Sequence, residues 1–209
     1  MKTSLALLLY IIVCQSNNRK SIPINRPTHL STIAKQNQFK SYTDNAELKE
    51  LFVDSLIVGK RKFNKIELAL YNISDSNFVI IKFYSKVNGK SWSLKQTFSF
   101  EKDVITGIDT KLSDFNNDGL NDMTYISAIA ARGANEVRRL FIYDKLKDKL
   151  IYLKNSDNYP NILYNKELNC IDAFLVFGGC STVFLKISGD SLKEFASVEL
   201  YDGLTVSVY

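Results

Sequence analysis

With 209 residues and 27 Lys and Arg against 22 Asp and Glu, the chain is mildly basic and about the size of one domain plus an extension. Its single histidine, His29, leaves no imidazole for Ser-His-Asp or Cys-His chemistry in the rest of the chain and no ligand cluster for a hydrolytic zinc. The basic residues are dispersed rather than gathered into a stripe, so nucleic acid is not an expected partner.

In chain order, Lys2 precedes an apolar run from Leu5 to Val13 that stops at Cys14. That run is too short to span a bilayer, which takes about 20 apolar residues, and has the form of a secretion signal. Ile11-Ile12-Val13-Cys14 is similar to a bacterial lipoprotein box, with Val13 where a small residue is usual. The resemblance implies that residues 1–13 are removed and that Cys14, lipidated, becomes the first residue of a membrane-anchored chain. Residues 14–45 are polar, hold Pro23 and Pro27 and lack hydrophobic periodicity. They read as a flexible tether with a reach on the order of 30 Å.

Residues 46–209 read as an all-β domain. Strand-like runs are expected at Leu51–Val58, Lys65–Tyr71, Phe78–Val87, Ser91–Phe100, Thr106–Leu112 and Met123–Ile129. The series continues with Arg138–Tyr143, Leu150–Leu153, Ile171–Phe177, Thr182–Ile187, Glu194–Tyr201 and Thr205–Tyr209. Turn signals at Asn88-Gly89, Gly178-Gly179 and Ser188-Gly189-Asp190 separate antiparallel hairpins, in a sandwich, barrel or propeller-like arrangement. The alanines of Ser127–Asn135 leave a short helix and a wide loop around Gly133 both open. In a hairpin turning at Gly178-Gly179, Cys170 faces a residue near Lys186, far from Cys180. That spacing opposes a disulfide, with pairing in an oxidising periplasm as the alternative.

The most informative segment is Asp114-Phe115-Asn116-Asn117-Asp118-Gly119-Leu120-Asn121-Asp122. Oxygen-bearing side chains stand at its first, third, fifth and ninth positions, and glycine at the sixth allows a sharp bend. Ca²⁺ takes six to eight oxygen ligands, so the candidate set is Asp114, Asn116, Asp118, Asp122 and the carbonyl of Leu120. The competing reading is an Asx-rich solvated turn. The twelfth position is Tyr125, not the glutamate of an EF-hand, and a strand follows instead of a helix. Loop followed by strand resembles the calcium loops of dockerin and FG-GAP type propeller repeats.

A wider resemblance covers about Thr106 to Leu200. The calcium loop, its following strand, Gly133-Ala134-Asn135, Phe141-Ile142-Tyr143-Asp144, a Lys-rich turn, Gly178-Gly179 and Gly189-Asp190-Ser191-Leu192 occur in sequence. The order is similar to that of calcium-binding, propeller-like periplasmic lipoproteins that inhibit a lysozyme-like effector of type IV secretion. It implies a Ca²⁺-ordered immunity protein that occludes a cell-wall hydrolase. No catalytic set is expected: Glu101, Asp103, Asp109, Asp144, Glu167 and Asp172 are available as carboxylate pairs, yet acids at hairpin ends are usually turn residues. The expected function is therefore protein binding at the periplasmic or surface face of a bacterial membrane. The alternatives are a calcium-dependent adhesin or glycan-binding module and a structural envelope lipoprotein.

Overall fold

A computed structural model describes residues 46–73 and 76–209. The signal segment 1–13, Cys14, His29 and the tether 14–45 lie outside the described residues. Asp54 ends the first strand, β1 (Glu47–Asp54), because its Oδ1 accepts the backbone N–H groups of Leu56, Ile57 and Val58 at 3.2, 3.0 and 2.8 Å. The strand therefore lies earlier than the expected Leu51–Val58. It is followed by β2 (Asn64–Ile73), β3 (Ser76–Val87) and β4 (Ser91–Lys102), all antiparallel in the order β1-β2-β3-β4.

A second meander comprises β5 (Lys111–Ser113), β6 (Asp122–Ala130), β7 (Asn135–Asp144) and β8 (Lys149–Tyr152). A third comprises β9 (Ile162–Asn165), β10 (Cys170–Val176), β11 (Cys180–Ser188), β12 (Ser191–Leu200) and β13 (Leu204–Val208). The all-β antiparallel class is as expected. Each sheet is open, with two edge strands.

Three departures from the expected strands have local causes. Thr106–Leu112 shrinks to β5, because Asp109 turns the chain at φ 28°. Before that turn, the buried Lys102 Nζ donates to Asp103 Oδ1 at 2.8 Å and to the Thr106 carbonyl at 2.6 Å. In Ser127–Asn135, β6 continues to Ala130 and is followed by a one-turn 3-10 segment at Ala131–Gly133. Both open readings thus resolve into a tight connection, with Ala131, Arg132 and Gly133 all at positive φ. Finally, β9 is a strand where none was expected; its four residues are too few to show a period.

The middle sheet is apolar on both faces. Alternate residues of a strand point to opposite sides. On β7, Phe141 and Tyr143 join Ile66, Leu68, Val79, Ile81 and Phe83 of the first sheet, whereas Leu140 and Ile142 join Ile171, Ala173, Val183 and Leu185 of the third. Two cores result, with the β5–β8 sheet between them. The run Leu140-Phe141-Ile142-Tyr143 is continuously apolar for this reason. Each such side chain contributes about 1.5–3 kcal/mol by leaving water.

Cys170 pairs with Asn165 and Cys180 pairs with Val176 and Leu200, so the two thiols occupy opposite ends of the β10–β11 hairpin. Both are buried, and no disulfide joins them.

Two turn glycines separate backbone strain from lack of space. Gly89 has φ 69° with nothing within 4 Å of a Cβ, whereas at Gly59, φ 51°, a Cβ would meet Asn64 Oδ1 at 2.9 Å and the Tyr143 ring at 3.0 Å. Gly89→Ala should cost about 1–2 kcal/mol, from left-handed strain alone. Gly59→Ala should cost about 2–4 kcal/mol, since overpacking adds to it. Urea unfolding midpoints of the two variants will check the ranking.

Candidate metal centre

The loop between β5 and β6 is built by its own side chains. Asp114 Oδ1 accepts the N–H groups of Asn116 and Asp118 at 3.3 and 3.2 Å, and Asp114 Oδ2 accepts that of Gly119 at 2.8 Å. Asn116 Oδ1 accepts the Asp118 N–H at 3.1 Å, and Asp118 Oδ1 accepts the Leu120 N–H at 2.9 Å. These are Asx-type bonds, through which short acidic side chains turn the backbone. Asn117 at φ 59° and Gly119 at φ 82° supply the left-handed residues that the winding needs.

Asp122 has a different role. It is wholly buried at the start of β6, where Oδ2 accepts the Phe115 N–H and Oδ1 accepts the Tyr143 N–H, both at 2.8 Å. Burial, together with the nearby charges of Asp118 and Asp114, pushes its carboxyl up from the ordinary 3.8 to about 7. The two N–H donors favour the charged form but do not outweigh those effects. Among the described residues, no Lys or Arg forms an ion pair with Asp114, Asp118 or Asp122.

Of the five expected ligands, Asp114, Asn116 and Asp118 are brought together by mutual hydrogen bonds, including Asn116 Nδ2 to Asp118 Oδ2 at 3.2 Å. Asp122 feels their charge but, among the described residues, shares no direct hydrogen bond with them; it holds instead the N–H of Phe115, the residue after Asp114. Among the described residues, no three His, Cys, Asp or Glu side chains gather at metal-holding spacing. The donor chemistry nonetheless fits a hard cation: every candidate is an oxygen, and each Asp122 oxygen, having accepted one N–H, retains a lone pair.

Both flanks of the loop are anchored. Phe115 is buried in the core between the second and third sheets, and Leu120 packs on the core between the first and second. Asn121 ties the loop to the β1–β2 connection, its carbonyl accepting the Gly59 N–H at 2.8 Å and its Nδ2 donating to the Ile57 carbonyl at 3.2 Å. Beyond Gly59, Asn64 Nδ2 donates to Ser85 Oγ at 3.0 Å and to Asp148 Oδ1 at 2.9 Å, and Tyr143 Oη donates to the same Asp148 oxygen at 2.9 Å. Burial opposes the Asp148 charge, but the hydrogen bonds of Ser85, Asn64 and Tyr143 outweigh it and hold its carboxyl below the ordinary value.

Beside the loop lies a cleft of about 800 Å³ between β5 and β9, with Asp114, Asn117, Leu112, Phe115, Ile162 and Tyr164 in its walls. Sequence reasoning missed it together with β9. The available signal was the turn-forming pair Pro160-Asn161 directly ahead of Ile162-Leu163-Tyr164, where Asn161 takes φ 54°.

Arg138 lies on the same cleft, but it is buried and structural. Its guanidinium donates to Glu136 Oε2, to the Asp109 carbonyl at 3.0 Å and to the Asp109 carboxylate. Arg139 donates to the Glu101 carbonyl at 2.9 Å and lies over the Phe100 ring. Of the acids available for paired-carboxylate chemistry, Asp109 is held by Arg138, Asp103 by Lys102 and Asp144 by Lys147.

Comparison with protein-family models, with curated proteins and with solved structures found no match to this chain.

The burial of Asp122 fixes a pH dependence. Between pH 3.8 and about 7 the folded state retains a proton that the unfolded state has lost, so stability of the chelated protein should fall as pH rises through that window. At about 1.4 kcal/mol per pH unit, the effect is on the order of a few kcal/mol. Asp103, Asp109 and Asp148 are shifted the other way, below 3.8, and titrate outside the window. Chemical unfolding in chelator at pH 5 and pH 8 should find the protein more stable at pH 5, with the difference removed in Asp122→Asn.

Proposed function

We propose that the chain is a calcium-ordered binding protein of the bacterial cell envelope, anchored by a lipid on Cys14 and acting on a protein partner rather than by catalysis. The observation that carries this reading is Asp122: a buried carboxylate beside two other acids, with no Lys or Arg among the described residues ion-paired to it. In this reading Ca²⁺ is held by Asp114, Asn116, Asp118, Asp122 and the carbonyl of Leu120. It supplies the missing positive charge. The three stacked meanders are then blades of a propeller-like arrangement, with the loop at the seam between two cores.

The partner proposed is a lysozyme-like cell-wall hydrolase, met at the face that carries the loop and its cleft. Ordering of Asp114 and Asn117 by the cation would set the shape of that cleft, which links metal binding to recognition. Protein rather than glycan recognition draws support from Trp92, the only tryptophan, over whose ring the Lys65 and Lys86 ammonium groups lie at 5.7 and 5.1 Å, in competition with a stacked sugar.

Two measurements test this reading. Calcium at 100 times its dissociation constant should stabilise the folded protein by about 2.7 kcal/mol over chelator in thermal unfolding, and Asp118→Ala should abolish the gain. An unchanged melt would remove the metal from the reading. Turbidity assays of cell-wall lysis by several muramidases should show inhibition that is present in calcium and lost in chelator. Inhibition indifferent to chelation would separate partner binding from the loop.

A further inference from the structure

The outer face of the β9–β13 sheet and its last edge are largely apolar. Antiparallel partners share a face, so the pairings Thr182 with Val198, Val198 with Val206, Cys180 with Leu200 and Leu200 with Leu204 place these residues on one side. Phe174 and Val176 join them through β10. This is the side away from Ala173, Val183 and Ser197, which face the core. At its edge Leu204, Val206 and Val208 are 56, 55 and 79% exposed.

The other sheet edges are guarded, as natural edges usually are. Strands β5, β8 and β9 are three or four residues long. Strands β1 and β4 carry charged residues and an irregular register. Among the edge strands of the described residues, only β13 runs five residues with no charge, no proline and no register shift.

The backbone of β13 is equally specific. Tyr209 N–H donates to the Phe195 carbonyl and Tyr201 N–H to the Gly203 carbonyl, so residues 205 and 207 direct their main-chain groups to β12. By the alternation of an antiparallel ladder, Leu204, Val206 and Val208 direct theirs to the open edge.

We propose that β13 pairs antiparallel with the β13 of a second copy of this chain, on a two-fold axis through Val206. The sequence Leu204-Thr205-Val206-Ser207-Val208 is chemically palindromic about that residue. In this register Leu204 meets Val208 of the other copy and Val206 meets its equivalent, apolar against apolar. Thr205 meets Ser207 on the opposite face, hydroxyl against hydroxyl. All three outward N–H and C=O pairs are satisfied, and with no charge in the strand the two edges do not repel. A five-residue strand pair covers less than the roughly 800 Å² per partner of a standard stable interface, so the dimer is weak and concentration-dependent.

The test is sedimentation velocity of the full-length chain over a range of concentrations, with non-reducing cross-linking of cysteine variants mapped by mass spectrometry. A monomer–dimer equilibrium is expected, shifted at least tenfold towards monomer by Val206→Lys and little changed by Val206→Thr. In the proposed register Val206→Cys should form a 206–206 disulfide, since hydrogen-bonded antiparallel partners lie about 5.5 Å apart, within disulfide reach. Thr205→Cys alone should not cross-link, whereas Thr205→Cys with Ser207→Cys should. Dichroism of each variant verifies that it is folded, and Val206→Cys keeps the test decisive if the lysine variant unfolds. A chain that stays monomeric, a dimer indifferent to Val206→Lys, or equal cross-linking at 205 and 206 would overturn self-pairing. A monomer that adds an unrelated extended peptide along β13 would also overturn it, and would assign the edge to a different partner.

Discussion

Two hydrogen bonds to one buried carboxylate set the position of much that surrounds them. Asp122 binds the Phe115 N–H on one side and the Tyr143 N–H on the other, so a single side chain joins the loop before β6 to the strand that carries both cores. The loop cannot move without disturbing β7. Its conformation is therefore coupled to the packing of the whole middle sheet, whether the carboxylate is neutral, charged or shared with a cation.

The middle sheet is the second constraint. Met123, Tyr125, Phe141 and Tyr143 face one core and Leu140 and Ile142 the other, so a change in the position of β7 is felt in both. Polar groups close the seam with the first sheet: Asp148 receives hydrogen bonds from Asn64 and Tyr143, and Asn121 holds the β1–β2 connection. Close packing does the rest, and Gly59 leaves no room for a methyl group against Tyr143.

Much of this was legible in the sequence because the hairpins carry their own signals. Asn88-Gly89 and Gly189 mark turns that the chain adopts at positive φ, and strands of nine to twelve residues such as β3, β4, β6 and β11 show their β-branched and aromatic content over a full length. The loop was legible through the spacing of Asp114, Asn116, Asp118 and Gly119, which wind the backbone as that spacing requires. The position of Asp122 deep against Tyr143 was not, because its partner is a backbone group 21 residues away that no local pattern announces. The same limit hid the role of Arg138, whose charge is neutralised inside the fold by Glu136 and by Asp109, 29 residues away. Strand β9 escaped because four residues carry too little pattern, and with it went the cleft it lines.

The meander order has a kinetic meaning. Within each of the three sheets every strand pairs with its neighbour in the chain, so each sheet closes only short loops and can form locally, at small entropic cost. Burial does not follow the same schedule. The β5–β8 sheet can cover one face as soon as the first sheet exists, but Leu140, Ile142 and Phe115 stay wet until β10 and β11 are in place. A chain emerging from its N-terminus thus spends an interval with half of its middle sheet exposed, and the last third of the sequence ends that interval.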